Sequence, residues 1–329
     1  MAEGRRLHVV NGDVVAEGLR RWSIPGTIVA WRDVLHEGPV PEGLPLEELS
    51  ALRGDFLASR GWGSREEIHG SFAARDEDLR RWGRYDGVLL WFEHDLYDQL
   101  QILQILAFFA AESPRPETLE MICIDRHPEV VPFHGLGQLS SAQLLALEAE
   151  KRPVTDGQLE VAERAWQAFR SGDPSTLQAL SGTQALPFLS AALKRHLEQF
   201  PSTEDGLGRT ERQALEVLAE HGPATATELF RRQQALEPHP FLGDSTFWGY
   251  LEELAAPPNS LVSVEPSPTG GMEGARVGLT AAGEEVLAGR RDRVRWRGLD
   301  RWFGGFHTRG RSCPFRWDRG SSRLVEGRE

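Results

Sequence analysis

The chain has 329 residues, a formal net charge of −12, and 40% hydrophobic and 26% charged residues; this is ordinary for a globular protein and long for one core, so about two domains are expected. The acidic balance argues against a general nucleic-acid binder, whose phosphate contacts need an excess of Lys and Arg. Two cysteines, Cys123 and Cys313, without a CxxC, form no disulfide framework, no run reaches the roughly 18 to 20 apolar residues of a membrane span, and the N-terminus leads into a strand without a signal-peptide core. A reduced cytoplasmic setting is expected, with no membrane partner.

In chain order, residues 7–10 read as a first strand, Asn11-Gly12-Asp13 as a turn and 14–22 as a short helix. Residues 27–31 form a second strand, and the loop Arg32-Asp33-Val34-Leu35-His36-Glu37-Gly38-Pro39 follows it. Residues 44–60 and 64–82 have helical patterns, the second rich in Arg, Asp and Glu and expected to be a solvated face. Residues 88–92 have the length and composition of a buried strand. The chain then carries four ionisable groups in six positions, Glu93, His94, Asp95 and Asp98, and continues as an apolar helix to 111. A fourth strand, 119–124, ends on Asp125-Arg126-His127-Pro128. Strands alternating with helices predict an α/β fold with a Rossmann-like, mostly parallel sheet over residues 1–135.

Past Gly135-Leu136-Gly137 the pattern becomes amphipathic and helical (140–150, 155–170 and 186–200), a helical bridge assigned to 136–203. Thr155-Asp156 is a plausible cap. Residues 204–289 then show three helices (210–220, 225–234, 245–255), two short strands (261–264, 275–279) and a closing helix (280–287). Three helices followed by a hairpin is the order of a winged-helix-like α+β domain. Its presumed recognition helix carries Glu252 and Glu253 and no Lys or Arg, the reverse of what base readout and phosphate contact need. A structural or protein-contact role is favoured for it. Residues 290–329 hold 12 Arg against 5 acids and three Trp. This basic Trp/Gly-rich segment is expected to pack back on the body, with His307 a candidate neighbour of the cleft and Trp317-Asp318 a candidate strand end. Nucleic acid could be met only through the winged-helix region and this tail.

In a parallel sheet the C-terminal ends of the strands lie on one side, where ligands bind. Carboxylates and imidazoles converging there can hold a divalent metal or act as general acid and base. On this reading Asp13, Asp33 and Asp98 are candidate metal ligands. His36, Glu37, Glu93 and His94 are candidate catalytic groups, and Asn11, Gly12 and Arg32 would contact a cofactor or ligand. The competing reading is that Asp13 and Asp95 cap the helices that follow them. No GxGxxG, P-loop or Gly-x-Ser-x-Gly elbow is present. Cys123 reads as a buried small apolar residue, and Gln101 and Gln104 as solvent-facing.

Three blocks resemble the motifs of the bacterial DUF1835 domain family: Leu7-His8-Val9-Val10-Asn11-Gly12-Asp13, Trp31-Arg32-Asp33-Val34-Leu35-His36-Glu37-Gly38-Pro39 and Leu90-Trp91-Phe92-Glu93-His94-Asp95-Leu96-Tyr97-Asp98-Gln99. The resemblance covers roughly the first 135 residues. Members often have Ser after Gly-Asp in the first block, where this chain has Val14. The resemblance implies a domain and no particular reaction. The expected function is a metal-assisted hydrolase or transferase acting on a phosphorylated or nucleotide-like small molecule bound in the α/β cleft. The alternatives are a ligand-sensing regulatory protein whose winged helix contacts DNA or a partner, and an interaction module without chemistry.

Overall fold

In the computed structural model, which describes residues 5–180, 182–268 and 270–327, the apolar runs of the N-terminal part form a five-stranded sheet. The chain divides into two units, Met1–Leu193 with Gly304–Phe306, and Lys194–Phe303 with His307–Glu329. No helix among the described residues is long and apolar enough to cross a membrane.

The first unit runs β1 (Arg6–Val10), α1 (Asp13–Arg21), β2 (Gly26–Ala30), α2 (Leu46–Ser59), α3 (Arg65–Arg80), β3 (Gly87–Glu93), α4 (Leu96–Ala111) and β4 (Leu119–Ile124). It continues through α5 (Ser141–Ala146), β5 (Arg152–Pro153), α6 (Asp156–Arg170), α7 (Ser175–Gln178) and α8 (Leu189–Leu197), within which the division between the units falls. The strand order is β2-β1-β3-β4-β5. The first four strands are parallel, and β5, a pair of residues that periodicity is too short to reveal, lies antiparallel on the edge. The fold is thus mixed α/β with a mostly parallel sheet. After β1 the chain moves outward to β2, then returns to place β3 on the other side of β1. That reversal puts a topological switch point at the C-terminal ends of β1 and β3, where Val10 pairs with Trp91.

Every residue of β3 is buried. Leu89 and Trp91 join Val10, Val15, Ala16, Leu19 and Leu144 in one core cluster. Val88, Leu90 and Phe92 alternate with them and are buried too, so both faces of the strand are covered. Burying each of these large side chains stabilises the fold by about 1.5–3 kcal/mol. α4 packs on β3 and on α6.

α4 is buried along almost its whole length, which overturns the expectation for its glutamines. Gln101 and Gln104 are 0% and 3% exposed. Gln104 Oε1 accepts the Trp31 indole N–H at 2.9 Å, and Gln101 Nε2 donates to the Asp33 carbonyl at 3.1 Å. Their amides satisfy backbone and indole groups of the segment after β2, a demand that helical spacing cannot show. The solvated-face expectation for α3 also fails in part. Arg75 and Asp76 are buried, with the Arg75 guanidinium 4.0 Å from the Trp31 ring centroid and 4.1 Å from that of Phe72. Cation–π stacking and the Asp76 and Ser50 hydrogen bonds offset the desolvation of that charge.

The second unit contains α9 (Arg209–His221), β6 (Ala224–Thr225), α10 (Ala226–Gln234), α11 (Asp244–Ala255), β7 (Val262–Glu265), β8 (Arg276–Leu279) and α12 (Ala281–Leu287). Its antiparallel sheet has the order β6-β8-β7. α13 (Arg293–Arg297) precedes β9 (Leu299–Phe303), β10 (Phe306–Gly310), β11 (Phe315–Asp318) and β12 (Arg323–Glu326), which pair as β10-β9 and β11-β12. β11 ends on Trp317-Asp318, as the sequence suggests. On α11, Phe247, Tyr250, Leu251 and Leu254 are buried, and Asp244, Ser245 and Glu252 are exposed. Glu253 pairs with Arg301, whose guanidinium also lies 4.7 Å from the Tyr250 ring centroid. His307 stacks on Trp302 with centroids 4.3 Å apart and pairs with Asp300 at 2.7 Å.

Candidate functional site

β3 carries Glu93 to the switch point because its apolar run leaves no earlier place for a charge. Asp95 then starts α4. Its carboxylate accepts the Asp98 N–H at 2.9 Å, the N-cap bond that a short acidic side chain is suited to make. The first turn of α4 brings Asp98 back over Glu93. One carboxylate oxygen from each of Glu93, Asp95 and Asp98 lies within 4.8 Å of the others. This is the one such group of three or more His, Cys, Asp or Glu donors among the described residues.

Asn11, the residue after β1, joins the cluster from the neighbouring strand. Its Nδ2 donates to Glu93 Oε1 at 2.9 Å and to Asp98 Oδ2 at 3.0 Å. The Leu136 N–H also donates to Glu93 Oε1. Asp98 Oδ1 has no hydrogen-bond partner among the described residues, although Asp98 is only 1% exposed.

The electrostatics follow from burial. The Glu93 carboxyl is pushed up to about 8, first by desolvation and then by the charge of Asp95, against the hydrogen bonds from Leu136 and Asn11. Desolvation pushes Asp95 up to about 7, opposed by the Asp98 and Tyr97 N–H groups. Asp98 lies well above the usual carboxylate range, from burial and then from Glu93 and Asp95. Three carboxylates this close and this dry cannot all stay charged without a counter-charge. Protons can supply it, and so can a hard divalent cation, for which an all-oxygen donor set is the preferred chemistry. The orphaned Asp98 oxygen fits that second occupant.

Beside the cluster is a cleft of about 360 Å³ lined by Asn11, Gly12, Val14, Glu93, Tyr97 and His134, among others. Gly12 precedes α1, and no side chain caps that helix. The Tyr97 hydroxyl donates to the Asn11 carbonyl at 3.3 Å. Gly135, at φ +155°, closes the site from the other side: a Cβ there would stand 2.3 Å from Glu93 Oε2. Gly135→Ala is therefore expected to displace the Glu93 carboxylate and destabilise the protein by about 1–3 kcal/mol. Thermal denaturation checks this, and an unchanged midpoint would contradict it.

The structure thus brings together Asn11, Gly12, Glu93 and Asp98 of the residues singled out in the sequence. Asp13 also lines the cleft but lies outside the carboxylate cluster, whereas Asp33, His36 and His94 belong to neither. Asp13 is the first residue of α1 and makes no capping bond; it is exposed and clamped by Arg32, whose Nε and Nη2 reach it at 2.6–2.9 Å. That pair holds the Asp13 carboxyl below the usual range. Asp33 is fully buried against Arg53, with Oδ1 2.9 Å from Nε and 2.8 Å from Nη2. Arg53 also binds the carbonyls of Val34 and Glu37, so this arginine fixes the whole loop after β2. His36 is 7% exposed with its ring edge-on to Tyr97, and His94 is 6% exposed between Phe133 and Phe188. Neither lines the cleft; the histidine that does is His134, which is exposed. His134 sits in a loop without periodicity, and Arg53 lies within a helical pattern, so neither carries a sequence signal. Asp95 was visible as a cap, and its second part in the cluster needs three dimensions. Cys123, expected as a buried small apolar residue, is half-buried; its thiol donates to the Glu93 carbonyl at 3.3 Å and is pushed up by desolvation.

No model of a known protein family matches the chain, and no curated protein matches it. Among solved structures, one similar chain is the DNA-binding, cleavage and re-ligation domain of Plasmodium falciparum topoisomerase II, at 9% identity and a TM-score of 0.42. The match covers 94% of this chain and 51% of that one, about half its length.

Proposed function

We propose that the first unit is a Rossmann-like domain of the DUF1835 type that holds a divalent cation on Glu93, Asp95 and Asp98. With it, the protein acts as a metal-assisted hydrolase or transferase on a phosphorylated or nucleotide-like small molecule. The observation that carries this reading is the buried three-carboxylate cluster at the switch point, opening through Glu93 into the cleft. A bound cation supplies Lewis-acid polarisation of a phosphoryl oxygen. The chain supplies the rest. Glu93 connects the cluster to the cleft, and the uncapped start of α1 favours an anionic group there. The exposed imidazole of His134 gives or takes a proton at a ligand in the cleft. Both cysteines are free, which agrees with a reducing cytoplasmic setting.

For the second unit, the order α9-β6-α10-α11-β7-β8 supports a winged-helix-like assignment over residues 204–289. The apolar side of α11 is buried and its exposed positions Asp244, Ser245 and Glu252 include no cation. That favours a packing role over DNA readout.

The test is thermal-shift titration with Mg²⁺ and Mn²⁺, then with nucleotides and phosphorylated sugars in the presence of the better metal. Wild type should shift by several degrees with the metal and further with a ligand, and Glu93→Gln should lose both shifts. No metal shift in the wild type, or an equal shift in the variant, would sink the reading.

A further inference from the structure

We infer that Asn11 holds the place of a cation in the metal-free site and becomes a metal ligand through Oδ1 when a divalent ion binds. The inference rests on the reading of Glu93, Asp95 and Asp98 as ligands. The side-chain NH₂ of Asn11 gives one N–H to Glu93 Oε1 at 2.9 Å and the other to Asp98 Oδ2 at 3.0 Å. Two carboxylates from different stretches of β3 and α4 thus converge on a single polar nitrogen whose hydrogens carry partial positive charge. No other side chain among the described residues does this to both of them. A hard cation asks the same of those oxygens, at 2.0–2.6 Å metal–oxygen distances.

The amide is suited to both states. Its nitrogen and oxygen are near-isosteric and related by a half-turn about the last side-chain bond. With the NH₂ inward, it hydrogen-bonds two acceptors; with Oδ1 inward, it offers the neutral carbonyl ligand that Mg²⁺ and Ca²⁺ accept readily. The backbone need not follow. Tyr97 OH holds the Asn11 carbonyl at 3.3 Å, and β1 pairs with β2 and β3 up to Val10. Asp98 Oδ1, buried and without a hydrogen-bond partner among the described residues, supplies acceptor capacity that the amide leaves unused. An aspartate at position 11 would be the more obvious ligand. It would also add a fourth charge to a buried cluster with nothing to hold it in the absence of metal.

The chain contains only two asparagines, Asn11 and Asn259, which makes the test direct. Protein labelled with ¹⁵N-asparagine should give two side-chain NH₂ pairs, assigned by Asn11→Ala, and Mg²⁺ is titrated in. The Asn11 pair should move with saturating Mg²⁺, the Asn259 pair should stay, and calorimetry should show Asn11→Ala weakening Mg²⁺ by about tenfold or more. If wild type binds Mg²⁺ while the Asn11 pair stays fixed and Asn11→Ala binds equally well, the inference is overturned and the carboxylate site stands. If wild type binds no Mg²⁺ or Mn²⁺ at all, the carboxylate reading itself falls, and this inference with it. The spectrum of the unmutated protein carries the result even if the alanine variant folds poorly.

Discussion

Asp98→Asn is expected to make the metal-free protein more stable at pH 8 and to abolish its thermal response to divalent cations. Folded, Glu93 and Asp95 titrate near 8 and 7, against ordinary values of 4.5 and 3.8, and Asp98 is raised as well. An acid whose folded value is raised binds more protons in the folded state than in the unfolded one. Stability therefore falls as pH rises from about 4 towards 8, and it is recovered on acidification through that window. At pH 8 the metal-free fold carries most of the cost of raising Glu93 and Asp95, on the order of a few kcal/mol. Replacing one carboxylate by an amide of the same shape removes part of that cost and gives the orphaned Oδ1 position a donor aimed at its neighbours. A rise of a few degrees in the midpoint at pH 8, shrinking near pH 5, is the expected result. A cation should do for the wild type what the substitution does for the variant, and more so at pH 8 than at pH 5. A lower midpoint for Asp98→Asn in metal-free buffer at pH 8 would contradict the account.

Arg53→Ala should cost about 3–5 kcal/mol, the usual penalty for leaving one half of a fully buried ion pair unpaired. Both side chains are 0% exposed. The loss extends beyond the pair, because the same guanidinium satisfies the carbonyls of Val34 and Glu37. Urea denaturation of Arg53→Ala, Asp33→Asn and the double variant measures it. The double variant should be less damaged than the sum of the singles, since removing both partners leaves no isolated buried charge. A loss below about 1 kcal/mol for Arg53→Ala would mean that the loop is held by other contacts.

The four parallel strands were legible because each is a short apolar run bounded by turn residues, and β3 could be read nearly to the residue; β5, only Arg152 and Pro153, was not. The site was legible in kind: charge at strand ends, on one side of the sheet. Which charges meet was not. Asp13, Asp33 and Asp98 look equivalent in sequence, each an acid just beyond a strand or at a helix start. Two of them are claimed by arginines, Asp13 by Arg32 nineteen residues on and Asp33 by Arg53 twenty residues on, and the partner of a carboxylate is set by tertiary approach. His36 and His94 sit in the most suggestive motifs, yet aromatic neighbours bury them, whereas His134 occupies an unpatterned loop. Gln101 and Gln104 show the same limit from the apolar side, because a helix covered on every face has no solvent stripe to assign them to.

The two-residue strand β5 has a consequence for how the protein behaves in a crowded cell. A parallel sheet with a bare rim offers every passing extended segment a row of backbone donors and acceptors to join. Here the rim beside β4 is already taken by Arg152 and Pro153. Pro153 has no amide hydrogen to offer, and beside it stands a cationic side chain. A visiting strand would find almost no ladder to extend there. With so small an edge, the sheet has a stop built into it on the β4 side.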